Sequence, residues 1–494
     1  MVRILVSVLF AASLFSCVTP RKAVEIQQRK YSANELKEDF ILLKNILEAN
    51  HPSLYWYTPK DSIDWYFNTA INSITDSLTE LQFRNKVAWA VSKIRCGHTS
   101  VRFSKKYLAA ENAARNPIFP LTIKVWDDSL VVLSSAYRTD TIFTRGTIIT
   151  AINGRKPKEI LDSLFQLVNT DGFANNFKNQ LISFNFGLHY KNAFGLDSQQ
   201  LIRYLDSNKV ERETIIKNYD IKSDTLRMRQ LIAASFPQPS KRQIKEARLL
   251  GRRSMTIDTP LNTAYIRLAT FSGGKLRRFY RKSFRTIKKQ GINNIVFDLR
   301  ENGGGNIMSA TKLIQYLSDH KFKVADTVAA VSRKLKYGNH IYPWFIYRLS
   351  MLFTSRKKSD GRYHFGYFER HWFKPKKKNH FDANVYLIQG GYSFSATTLF
   401  INAIKDQKNV ITIGEETGGG SYGNTAVHMP QIILPTTGLR IVLPLYRLVM
   451  DASAPKTGKG ITPEILVNPN SSYIRKGIDP KIEKVRELIE ENKK

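Results

Sequence analysis

The apolar positions of this chain follow two different periods. Over 36–47 they recur at helical spacing behind Ser32 and Glu35, a Ser-x-x-Glu capping box, and the same period returns over 62–76 and 79–94. A small helical unit over 31–115 is predicted. Its last helix breaks at Gly97 in Arg95-Cys96-Gly97-His98-Thr99-Ser100-Val101, where alternation begins. From Asn116 the period falls to two, giving short strands at 121–125 and 130–133 and a run over 145–154, then a helix over 157–168. The stretch 169–250 carries no readable period. Beyond it the pattern alternates: a strand at 262–268, a basic amphipathic helix at 279–290 and an apolar strand at 292–299. A helix at 307–317, a strand at 385–388, a helix from Thr397 and a strand at 409–413 follow, which is the signature of an α/β layer. Two strands over 427–449, joined at 435–438, and a charged helix over 480–494 complete the pattern.

The run over 145–154 ends in Ile152-Asn153-Gly154 and leads into a helix, which resembles the core of a PDZ domain. Such domains take an extended peptide at a sheet edge, although Asn-Gly is also a plain hairpin turn.

At 494 residues the chain exceeds one ordinary core, so two or three domains are expected. Residues 1–17 read as a leader: Arg3, then an apolar-rich run over 4–15 that is too short to span a bilayer. Leu14-Phe15-Ser16-Cys17 resembles a bacterial lipobox, which implies acylation of Cys17 and a polar, basic tether over 18–30. Cys96 is then left without a partner, so no disulfide framework is expected. The histidines show no HExxH spacing and the cysteines no CxxC, so neither a metal nor a cofactor is implied.

The net charge of +35 concentrates in 240–253, 275–289 and 356–378, the last run interleaved with aromatics. That mixture can suit nucleic acid. An exported chain seldom meets nucleic acid, so anionic headgroups or cell-wall polymer are the better partners. Solvated helix faces account for the charge equally well.

Two stretches carry chemistry. Gly390-Gly391-Tyr392-Ser393-Phe394-Ser395-Ala396-Thr397 is a tight turn between a buried strand and a helix. Such a turn exposes a small hydroxyl, and the helix start offers free amides to a developing oxyanion. Taken alone, it is also an ordinary turn with an N-cap. Asp298-Leu299-Arg300-Glu301-Asn302-Gly303-Gly304-Gly305-Asn306 is a glycine loop that brings backbone N–H groups close to negative charge, as a phosphate cradle or as half of an oxyanion hole. With no Walker lysine and no GxGxxG spacing, nucleotide binding is not expected.

Together these stretches resemble the carboxyl-terminal processing and tricorn-type serine peptidases. The resemblance implies an α/β fold with a ClpP/crotonase-like peptidase core over 258–470, an N-terminal helical domain over 31–115, a PDZ-like domain over 116–250 and a C-terminal helix over 471–494. It implies Ser395 as nucleophile, the amides of Gly304 and Ala396 as oxyanion donors, and Ser393 in support. One branch of the family uses a Ser-Lys dyad, but here Gly420 occupies the lysine position in Gly414-Glu415-Glu416-Thr417-Gly418-Gly419-Gly420-Ser421. The tricorn-like branch takes a histidine from the preceding helical domain, which points to His98 as general base. That branch has a serine before the histidine where this chain has Gly97. The third, acidic partner has no matching motif: Thr457 stands near its expected place ahead of Gly460-Ile461-Thr462-Pro463-Glu464, and Asp451 and Glu416 are the candidates.

The sequence thus predicts an exported, lipid-anchored serine endopeptidase. Its partners would be peptide or protein substrates of the cell envelope and, through the lipid on Cys17, the membrane; nucleic acid is not expected. Two alternatives stand beside it: a non-catalytic peptide- or ligand-binding protein on the same fold, and a scaffold that grips lipid or wall polymer through its basic surface.

Overall fold

The computed structural model describes residues 19–225, 229–230 and 239–492; the leader and Cys17 lie outside the described residues. Most of the stretch expected to be a tether is instead helix Pro20–Gln28. Its Ala23 is buried against Ala110 and Ala114 of helix Lys105–Ala114, where small side chains let the two axes approach closely.

Helices α1 (Ala33–Asn50), α2 (Lys60–Asn72) and α3 (Glu80–Ser92) form the helical unit. The Ser32–Glu35 capping box is in place and Thr79 with Gln82 forms another, so the first amides of α1 and α3 are satisfied locally. Phe40 meets the rings of Phe67 and Phe83 edge-on at 5.8 and 6.0 Å. The same apolar cluster runs on without a break into Ala264, Ile266, Phe297 and Leu399. The helices and the α/β layer therefore share one core. Asp39 of α1 adds a polar tie, its carboxylate accepting the amide and hydroxyl of Thr437 at 3.0 and 2.8 Å.

After the short strand β1 (Val101–Arg102) comes a unit with its own core. Strands β2 (Leu121–Trp126), β3 (Ser129–Ser135) and β4 (Ile148–Ile152) are followed by helices α4 (Pro157–Phe165), α5 (Asn175–Phe184) and α6 (Phe186–Phe194). Strands β5 (Gln199–Leu205) and β6 (Glu211–Lys217) then close a five-stranded antiparallel meander in sequential order. Ile123, Val132, Ile149, Leu161, Ile182 and Phe186 pack in its interior. Half of these elements come from the stretch that showed no period. In β6 the cause is visible: Glu211, Arg212 and Glu213 are all exposed, so neither face alternates clearly.

The α/β layer starts with β7 (Arg253–Asp258), β8 (Thr263–Leu268), α7 (Leu276–Lys289), β9 (Asn294–Asp298) and α8 (Ile307–Leu317). Next come β10 (Ile341–Tyr342), α9 (Trp344–Thr354), β11 (Asn384–Gln389), α10 (Ala396–Ile404) and β12 (Val410–Gly414). The hairpin β13 (Gln431–Ile433) and β14 (Arg440–Val442), then β15 (Ile465–Leu466) and α11 (Pro480–Glu491), complete it. The six-stranded sheet has the order β15-β12-β11-β9-β8-β7, parallel throughout except for β7. Its central strands are apolar on both faces because helices cover both sides: α8 and α10 on one, and Val485 and Ile489 of α11 on the other. A smaller antiparallel sheet, β10-β13-β14-β1, carries β1 and with it the His98 loop to the carboxyl ends of the parallel strands. In open α/β sheets those ends are where ligands bind.

Candidate active site

The chain leaves β11 through a turn and enters α10 at Ser395, whose backbone sits at φ +58° and ψ −121°. A non-glycine residue in that region is strained by roughly 1–3 kcal/mol, and it persists only when its surroundings fix it. Here they do. Ser393 is fully buried; its Oγ donates to the Leu299 carbonyl at 2.9 Å and accepts the Gly390 amide at 3.1 Å. The Phe394 amide donates to the Asn302 carbonyl, and the amides of Gly418 and Gly419 both donate to the Ser393 carbonyl. From α5, Phe177 stacks on Phe394 at 4.5 Å and on Tyr392 at 5.8 Å. The two serines therefore differ in kind: Ser393 knits the turn to the glycine loop, and Ser395 is half-buried and faces a cleft.

The glycine loop lies directly against that serine. A Cβ at Gly304 would fall 2.7 Å from Ser395 Cβ and 2.9 Å from the Ala396 nitrogen, so no side chain fits there. As the first amide of α10, that of Ala396 makes no hydrogen bond among the described residues. The Gly304 amide, in contrast, donates to Asn302 Oδ1 at 3.0 Å. Of the two expected oxyanion donors, one is free and the other is engaged by a buried side chain that the sequence reading did not single out.

His98 lies between α3 and β1 and packs at a tilt against Phe394, with ring centroids 4.7 Å apart. With Ser395, Gly304, Arg102 and Gln431 it lines a cleft of about 530 Å³. Burial pushes its pKa down to about 4, so the imidazole is neutral near pH 7 and able to accept a proton. No hydrogen bond joins it to Ser395, and its Nδ1 is buried with no partner among the described residues.

A carboxylate stands beside the histidine loop. Asp171 Oδ1 accepts the Gly97 amide at 2.8 Å, and Oδ2 has no hydrogen-bond partner among the described residues. Burial pushes the Asp171 pKa up to about 7. The neighbours of Asp171 hold the same loop: the Asn169 side-chain amide donates to the Thr99 carbonyl, and the Gly172 amide donates to that of Arg95 at 2.9 Å. Asp171 belongs to Asn169-Thr170-Asp171-Gly172, which reads in sequence as a surface turn. Nothing in the residue pattern marks it as buried.

The two departures at glycine have steric causes. A Cβ at Gly97 would lie 2.5 Å from the Phe394 ring, and one at Gly420 would lie 2.7 Å from the Gly423 carbonyl oxygen, with Asp171 and Tyr57 next nearest. At either place a side chain would force its neighbours to shift. The two acidic candidates from sequence serve elsewhere. Glu416 accepts the Gly460 amide at 2.6 Å. Asp451 accepts the amide and hydroxyl of Ser453 and lines a separate cavity with Asn402 at the far end of α10. No group of His, Cys, Asp and Glu side chains suited to a metal occurs among the described residues.

Residues 262–467 match the model of peptidase family S41. No curated protein matches the chain. Among solved structures, mature CPAF superposes with a TM-score of 0.65 at 12% identity, covering 92% of this chain and 96% of that one. Mature CPAF complexed with lactacystin gives 0.64 at 13%, covering 92% and 98%. The photosystem II D1 C-terminal processing protease gives 0.41 at 13%, covering 88% and 94%. At such identities the CPAF likeness speaks for the fold, across nearly the whole length of both chains.

Proposed function

We propose that this chain, a serine peptidase of the tail-specific superfamily whose S41 segment spans residues 262–467, cleaves peptide bonds through an acyl-enzyme on Ser395 with His98 as general base. The observation that carries the reading is the convergence of three features on one cleft: a half-buried serine on a strained turn, the unbonded amide of Ala396, and a neutral imidazole.

In the first half-reaction Ser395 Oγ attacks the scissile carbonyl while His98 takes its proton. The imidazolium returns that proton to the leaving amine, and water repeats the sequence on the acyl-enzyme. Negative charge on the carbonyl oxygen falls to the Ala396 amide. The Gly304 amide joins it once the substrate oxygen replaces Asn302 Oδ1. His98 closes on Ser395 as substrate fills the cleft, since catalytic hydrogen bonds are often loose in unliganded sites. Asp171 is a positioning residue. Through the Gly97 amide it sets the histidine loop.

Substrate polypeptide enters between the α/β layer and the five-stranded unit, which we assign as the PDZ-like domain. Its β2 is an edge strand, and a cavity of about 630 Å³ lies between β2, α5 and the core. Export and a lipid on Cys17 complete the proposal, resting on the leader and lipobox pattern. The substrates are then proteins or peptides of the cell envelope.

The second reading, a non-catalytic binder, draws on the absent His98–Ser395 hydrogen bond and the engaged Gly304 amide. Incubation with an unfolded protein and mapping of new termini by mass spectrometry separates the two. Cleavage that disappears in Ser395→Ala and in His98→Ala supports the peptidase. Saturable peptide binding without new termini supports the binder.

A further inference from the structure

Helix α9 is largely apolar on both its buried and its exposed sides, which in a water-facing position is unusual. On its inner side Met351 is fully buried, and Trp344 and Tyr347 pack against the main core. Ser350 and His428 add a hydrogen bond of 3.0 Å on that side. At 100° per residue, Phe345, Ile346, Leu349, Leu352 and Phe353 fall on an arc of roughly 120° on the opposite side. All five are exposed, Ile346 to 62% and Phe353 to 80%. Tyr342 on the adjoining edge strand β10 continues the patch at 65%. Nothing within the described chain covers it.

The rim of the patch is cationic. Arg348 lies on the helix itself, and Arg356 and Lys357 follow its end; all three are exposed and have no acidic partner among the described residues. This arrangement discriminates between occupants. A second copy docked by two-fold symmetry would set the same cations against each other. An anionic lipid surface accepts the apolar arc among its acyl chains and the cations among its headgroups.

We propose that α9 is a membrane-docking helix that lies in the interface of an anionic lipid bilayer. The surface is separate from an acyl group at Cys17 and does not depend on the peptidase reading. Its position has a consequence for that reading. Strand β10 pairs with β13, whose Gln431 lines the cleft of Ser395. Docking therefore sets the cleft beside the lipid surface, where membrane-bound polypeptides would be presented.

The test is co-sedimentation of the full chain with vesicles of phosphatidylcholine alone or with phosphatidylglycerol, at low and high salt. Parent and variants all carry Cys17→Ala, so that an acyl chain contributes to none. The parent should partition onto phosphatidylglycerol vesicles and be released by salt. Ile346→Ser with Phe353→Ser should lower the partition by about tenfold or more, with unchanged circular dichroism. Arg356→Glu with Lys357→Glu should abolish the preference for phosphatidylglycerol. A parent that binds neither vesicle, or a serine variant that binds as the parent does, overturns the proposal. So does concentration-dependent dimerisation lost in the serine variant without vesicle binding, which assigns the face to a second copy. A raised KM for a soluble peptide without vesicle binding assigns it to substrate, and also overturns the proposal.

Discussion

Asp171 Oδ1 accepts the backbone amide of Gly97 at 2.8 Å, which ties a carboxylate from the five-stranded unit to the residue directly before His98. The proposed general base and the residue that sets its loop thus come from different units, and the proposed nucleophile comes from a third part of the chain.

This tie makes Asp171→Asn informative, because structure and catalysis respond in opposite directions. The folded-state pKa of Asp171 is raised to about 7, so its contribution to stability is full below the unfolded value near 3.8 and is lost as pH rises through 7. At pH 8 the variant, with no buried charge, should melt higher than the parent. Its kcat should fall by about 10-fold while KM changes little, since a neutral amide oxygen holds the Gly97 amide, and with it the His98 loop, less firmly than a carboxylate does. The pH–rate limb near 7 should vanish. Thermal melts and pH–rate profiles check this, and a variant with both full kcat and an unchanged limb would remove Asp171 from the account.

Acid should loosen the histidine loop. His51 is buried, its Nδ1 accepting the Ser53 amide at 3.2 Å, which leaves Nε2–H to donate to Thr99 Oγ1 at 2.8 Å. Burial pushes its pKa down to about 3 and that of His98 to about 4. Both are neutral in the folded chain, whereas the unfolded chain protonates near 6.5. The stability they contribute is full above 6.5 and is lost as pH falls, by up to about 1.4 kcal/mol per pH unit for each histidine. The melting temperature should decline from pH 6.5 towards 4, and less steeply in His51→Gln, as followed by circular dichroism.

Asn302 holds the Gly304 amide away from a substrate oxygen. Asn302→Ala should raise the rate of acylation by a serine-directed probe several-fold, since the competing hydrogen bond is worth about 1 kcal/mol. The same substitution should lower the melting temperature by a few degrees. Acylation slower than in the parent would mean that Asn302 shapes the loop for catalysis.

The legibility of the chain followed periodicity. The strand–loop–helix units around Ser395 and Gly304 were readable because both faces of the sheet are covered, which leaves unbroken apolar strands and capped helices. The helix over 307–317 was readable to the residue. Two groups of residues were not. In β5 a polar residue, Gln200, is buried and Leu201 is exposed, and β6 opens on three exposed charged residues, so neither shows an apolar alternation. Helix α9 is apolar on both sides and shows no amphipathic stripe. Within the site, Ser395, Ser393, Gly304, Ala396 and His98 fall on motifs. Asp171 acts through a backbone amide brought to it by the fold, a contact with no spacing to read, whereas Asn302 bonds the amide two residues on, inside the glycine loop itself. Thr19 also capped a helix where the polar composition of 18–30 had suggested an open tether.

The central claim is that Ser395 is a nucleophile activated by His98. Labelling of the intact protein with a fluorophosphonate, followed by mass spectrometry of the digested adduct, tests it most directly. The account predicts one adduct on Ser395, absent in Ser395→Ala and at least about 100-fold slower in His98→Ala. An intact, folded protein that takes no label, or a label that persists in Ser395→Ala, would contradict it.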